Sequence, residues 1–164
     1  CQVWCYAHLM ERTYLGVDPG TTTGLAILRT SHDGWVAAHD QIKGVRDASE
    51  WVRAYCDDQI VTLIYESFYL GARTLKASKA GVFDALNLVG WIAVECSGWL
   101  DYDLYAQSPS EGKTVRDDVL KVMGLYNPQM RHANDAMRHI VRHHLNYVRE
   151  GVVTKKYVEG VSKL

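Results

Sequence analysis

Asp18 closes the apolar run Tyr14-Leu15-Gly16-Val17, ahead of the turn Pro19-Gly20-Thr21-Thr22-Thr23 and a second apolar run from Gly24. A carboxylate on the lip of a buried strand is costly without a partner, and a bound cation commonly supplies one. Glu66 ends another apolar run, Ile60–Tyr65, and His132 and Asp135 open a late helical pattern. Carboxylates and an imidazole on separate elements suit divalent-ion hydrolysis of a phosphodiester. In that chemistry one ion activates water and a second, roughly 4 Å away, stabilises the leaving oxygen. Mg²⁺ takes oxygen ligands and keeps several waters, so a few protein groups suffice. Taken singly, each acid reads more readily as a surface or capping group. The set points to a metal-dependent nuclease.

These residues need elements to carry them. Periodicity predicts strands over Thr13–Asp18, Gly24–Arg29 and Trp35–Lys43, joined by the turn-rich segments Pro19–Thr23 and Ser31–Gly34 as an antiparallel meander. The stripe Ala48, Trp51, Val52, Tyr55, Cys56 predicts a helix over Val45–Asp58, and Ile60–Tyr65 reads as a central strand covered on both faces. A long helix over Lys76–Trp99, bent at Gly90, precedes a short strand, Asp101–Gln107, and helices over Ser110–Met123 and Arg131–Arg149. The order βββαβαβαα makes an α/β layered domain with a mixed sheet. Asp18 and Glu66 then sit at the C-terminal ends of their strands, where such sheets build their sites.

The last helix carries Ala133, Ala136, Met137, Ile140, Val141, Leu145 and Val148 on one continuous face. His132, Asp135, His139 and Arg142 fall within roughly 80° of one another on its flank. His132 and Asp135 are therefore aimed together as i, i+3 neighbours, with His139 and Arg142 following in the same row towards a phosphate. The plain alternative is a solvated, charge-stabilised helix, and His143 and His144 are assigned to that.

With 164 residues, 48% of them hydrophobic, the chain supports one core. No apolar run reaches the ~18 residues of a membrane span, and no signal-peptide pattern is present, so an intracellular protein is expected. Cys1 and Cys5 form a CxxxC without a second pair, which argues against structural zinc, and Cys56 and Cys96 read as buried thiols. Residues 1–9 precede Met10-Glu11-Arg12 and are expected to be an extension without part in the chemistry, with 10–164 a single domain. Net charge is −1, but Ser67–Phe83 holds three cations (Arg73, Lys76, Lys79) and no acid, and Arg131–Leu164 holds seven Lys/Arg against three acids. That asymmetry fits a neutral protein with one basic face.

Four segments in order carry a family resemblance: Gly16-Val-Asp-Pro-Gly-Thr-Thr-Thr-Gly-Leu-Ala26; Tyr65-Glu66; Gln107-Ser108-Pro109 followed by Lys113 and a helix ending Val122-Met123-Gly124; and His132-Ala-Asn-Asp135-Ala136. From Thr13 to Val148 the chain resembles the RuvC family of Holliday-junction resolvases, in particular its divergent phage and bacterial members. The resemblance implies an RNase H-like fold with a mixed five-stranded sheet. It also implies a homodimer, acting in the cytoplasm of a bacterial or phage-infected cell, that nicks opposite strands of a four-way DNA junction. Mg²⁺ would be the cofactor, two ions per site, with Mn²⁺ able to substitute.

By motif match, Asp18, Glu66, His132 and Asp135 take the metal positions, and Lys113 a basic position near the scissile phosphate. Tyr69 falls where the family places a base-stacking aromatic, although a core aromatic is an equal reading. Arg73, Lys76 and Lys79 would line the DNA-facing region, with Arg142 from the last helix, and the helix around Val82–Cys96 would form the dimer. Many members carry Asp where this chain has His132. Neutral imidazole binds Mg²⁺ poorly but suits Mn²⁺ or general-base work, so stronger Mn²⁺ activation and activity falling with pH through the histidine range are expected. The rival readings are a fork, flap or RNA nuclease of the same fold, an inactive junction-binding module, and an actin-like ATPase fragment. The last is not expected, because such ATPases need two lobes and a second phosphate loop, more than these 164 residues offer.

Overall fold

Strand β1 (Arg12–Asp18) alternates Tyr14 and Gly16 with Leu15 and Val17, and a period of two sends the two sets to opposite faces of a sheet. The protein, described from a computed structural model, is placed over residues 12–56, 61–67, 79–97 and 103–147. β1 pairs antiparallel with β2 (Thr22–Ser31), which pairs antiparallel with β3 (Gly34–Lys43). On its other side β1 runs parallel to β4 (Val61–Glu66), and β4 parallel to β5 (Asp103–Gln107). The sheet order is β3-β2-β1-β4-β5. The expected meander and mixed five-stranded sheet are both present.

Helices cover both faces. Leu15, Val17, Leu25, Ile27, Val61 and Leu63 meet Ala48 and Val52 of α1 (Val45–Cys56) and Leu88 and Ile92 of α2 (Lys79–Ser97). Tyr14, Ala26, Leu28 and Ile64 meet Ala136, Met137, Ile140 and Val141 of α5 (Arg131–Tyr147). Each fully buried Leu or Ile in these layers contributes on the order of 1.5–3 kcal/mol. By the same alternation, Asp18 shares the face of Tyr14 and Gly16, and Glu66 that of Ile64. Both carboxylates thus belong to the α5 side.

One expected helix is two. In place of Ser110–Met123 the chain forms α3 (Pro109–Gly112) and α4 (Asp117–Val122). The break falls at Gly112, a local stop signal, and burial sets the restart. Val115 is drawn into the core at 4% exposure, and Arg116 is extended, starting a second helix with Asp117 and Asp118 in its first turn. His143 and His144 also depart from the solvated helix face expected of them. His144 is buried, its Nδ1 3.0 Å from the Tyr14 hydroxyl, and His143 tilts over the Tyr105 ring. The reason is that α5 packs on β1 here, which buries His144 against Tyr14 and leaves His143 half-buried beside Tyr105.

α5 lies with its backbone directly on the sheet. A Cβ at Gly24 would fall 1.9 Å from the His132 carbonyl oxygen, and one at Gly16 2.5 Å from that of Ala136. The first turn of a helix leaves backbone N–H groups without helical partners. Here the His132 N–H donates to Gln41 Oε1 of β3 (2.7 Å), and the buried Asn134 side chain accepts from the Asn127 N–H (2.9 Å) and donates to its carbonyl (2.6 Å).

Gly24→Ala is expected to cost about 1–3 kcal/mol in urea unfolding, because the added methyl must push the helix off the strand. Burial lowers the His144 pKa to about 4, whereas the unfolded imidazole titrates near 6.5. Stability is therefore complete above pH 6.5 and falls as pH drops towards 4, by up to about 3 kcal/mol for a shift of that size. Melting temperature against pH should show this slope, and His144→Leu should flatten it.

Candidate metal centre

The start of α5 faces the end of β1. His132 Nδ1 lies 3.2 Å from Asp18 Oδ2, and Asp18, His132 and Asp135 each offer a ligand atom within 4.8 Å of the others. Burial, first of all, raises the Asp18 pKa, and the charges of Glu66 and Asp135 raise it further against the opposing bond from His132. That same bond raises the His132 pKa. A buried carboxylate crowded by two others calls for positive charge, and the oxygen, nitrogen, oxygen donor set suits a divalent ion. The residues fit such an ion.

Glu66 stands beside this group rather than within it. It ends β4 one strand over, with Oε2 3.1 Å from His139 Nε2. His139 corrects an expectation: it does not follow Asp135 towards a phosphate but is buried at 1% exposure, bridging Glu66 and Gln107. His139 does lie on the flank that the helical wheel gives it, but β4 and α3 close over that flank. Arg142 is half-buried, and its Nε lacks a hydrogen-bond partner among the described residues.

Asp135 is held by Arg138, whose guanidinium also grips Asp117 of α4. Nothing in the motif reading singled out Arg138, although its i+3 spacing from Asp135 is a legible helix signal. Beyond this pair opens a cleft of about 540 Å³ lined by Lys113, Arg116, Arg131 and Arg138, with Asp117, Asp135, Tyr126 and Asn134. Lys113 is therefore on the same side as the acids, exposed on the turn after α3. Tyr69, Arg73 and Lys76 lie outside the described residues, as do 1–9 and 151–164. The side chains of Lys79, Cys56 and Cys96 are likewise outside them.

No family model and no curated protein matches the chain. Among solved structures, T. thermophilus RuvC in complex with a Holliday junction substrate is similar, with a TM-score of 0.60 at 16% identity, covering 86% of this chain and 97% of that one. The two share a fold. The likeness is one of architecture, an α/β RNase H-like sheet with helices on both faces.

Arg138→Ala should leave Asp135 and Asp117 without their cation, costing about 1.5–3 kcal/mol in denaturant unfolding. Arg138→Lys should recover only part of this, because an ammonium cannot fork to both carboxylates.

Proposed function

We propose that this protein is a divalent-metal-dependent endonuclease that resolves four-way DNA junctions, making paired symmetric nicks with 5′-phosphate and 3′-hydroxyl ends. The supporting observation is the convergence of Asp18, His132 and Asp135, beside Glu66, on a fold shared with a RuvC structure solved with a Holliday junction.

On this reading Asp18, Glu66, His132 and Asp135 would hold Mg²⁺ or Mn²⁺, two ions per site, which when bound would supply an activated water and charge compensation at the phosphate. Asp18, at the end of β1 and hydrogen-bonded to His132, is the central carboxylate of the set. His132, 44% exposed at its side chain, takes one of two roles: a ligand of the ion or, unligated, the base on the attacking water. Lys113 offsets charge at the pentacovalent phosphate. The cleft beside Asp135, rich in Arg and Lys, takes the flanking strand, a footprint that neutralises phosphates. Tyr69, Arg73, Lys76, Lys79 and Arg142 complete the DNA-facing set, Tyr69 by stacking on a base.

A homodimer would place two such sites on opposite strands. α2 supports it: Val82, Ala85, Leu88 and Ile92 are buried, while Phe83 (60%) and Val94 (74%) stay exposed. Residues 10–164 act as one nuclease domain, with residues 1–9 outside it. No helix among the described residues is long and apolar enough to cross a membrane, and the site of action is the cytoplasm of a bacterial or phage-infected cell.

The test is cleavage of a labelled four-way junction, a fork, a flap and linear duplex in Mg²⁺ or Mn²⁺. Paired nicks in the junction, faster in Mn²⁺ and abolished by Asp18→Asn, are expected. Preference for forks or flaps would replace the resolvase by a broader branched-DNA nuclease, and undiminished cutting by Asp18→Asn would refute the site.

A further inference from the structure

We infer that His139 is a positioning residue of the metal centre: clamped between Gln107 and Gly112, it fixes one carboxylate oxygen of Glu66 and leaves the other to serve as a ligand. The inference rests on the reading of Glu66 as a metal ligand and adds a residue to it.

The imidazole is enclosed on every described side. It is 1% exposed; its Nδ1 lies 2.9 Å from Gln107 Oε1 at the end of β5, and its Nε2 3.1 Å from Glu66 Oε2 at the end of β4. Gly112 of α3 forms the roof, where an added Cβ would stand 2.7 Å from both Cε1 and Nε2 of the ring. The site is built for a ring in this one orientation.

Proton placement follows from the partners. An ionised carboxylate only accepts, so Nε2–H donates to Glu66. Nδ1 then donates to the Gln107 carbonyl oxygen as part of a cation, or accepts from that side chain's amide turned over as part of a neutral ring. The bond to Glu66 is the same in both states. Gln107 sets the ring's tilt and the ring sets the carboxylate, as outer partners orient ligands at metal sites.

A packing role alone predicts something different. A histidine that only filled space would be replaceable by an aromatic of similar volume without consequence for the ion. Without its donor, Glu66 retains 25% exposure and can rotate to water, so its aim at the centre is lost.

Mn²⁺ binding to the full chain without DNA, measured by calorimetry beside circular dichroism of each variant, separates the two. His139→Phe should fold and weaken Mn²⁺ binding about 10–100-fold. His139→Gln, which keeps an N–H donor near Nε2, should bind close to wild type. Glu66→Gln should weaken binding, and adding His139→Phe to it should cause no further loss, because the two act through one bond. Should His139→Phe not fold, Gly112→Ala displaces the ring with its donor intact and should also weaken binding. Wild-type affinity in folded His139→Phe, or in Gly112→Ala if that variant does not fold, would overturn the role of His139 and leave the centre standing. Undiminished Mn²⁺ binding by Asp18→Asn would instead overturn the centre itself.

Discussion

The closeness of α5 to the sheet governs the rest of the molecule. Gly16 and Gly24 leave no side chain between the helix backbone and strands β1 and β2, and Ala26, Ala133 and Ala136 keep the neighbouring positions small. With ordinary side chains there, the helix would stand off at a usual packing distance and His132 could not reach Asp18. The glycines carry a conformational cost when ordered. It is offset by the buried face of Met137, Ile140 and Val141, and by Gln41 and Asn134 tying down the helix start.

From that contact the electrostatics follow. Three acids converge near one end of the sheet, and α5 answers each with a partner: His132 for Asp18, Arg138 for Asp135, His139 for Glu66. One helix thus contributes two candidate ligands and the positive or proton-donating groups that let the acids coexist in partial burial. The arrangement neutralises the site in part, yet the Asp18 pKa stays raised, by burial first and then by the charges of Glu66 and Asp135. A divalent ion opposes that shift directly.

Much of the architecture is legible in the sequence. The alternation in Tyr14–Asp18, the turn chemistry of Pro19–Thr23 and the unbroken apolar run before Glu66 are local signals, and the meander and mixed sheet match them. The single helix expected over Ser110–Met123 breaks at Gly112, where α3 ends, a local stop signal inside the run. Burial of Val115 at 4% exposure, a tertiary effect, then sets where α4 restarts.

The sequence alone determined which groups are available: two strand-ending acids, Asp18 and Glu66, and an i, i+3 pair of His132 and Asp135 at a helix start. Local periodicity settles these, because side-chain direction along a strand or helix is fixed by its repeat. Tertiary structure alone decided that Glu66 is gripped by His139, that Arg138 is shared between Asp135 and Asp117, and that His144 is buried against Tyr14. Each of these pairs groups from elements far apart in sequence. No local repeat encodes which flank of a helix another strand will cover; that depends on how the layers close.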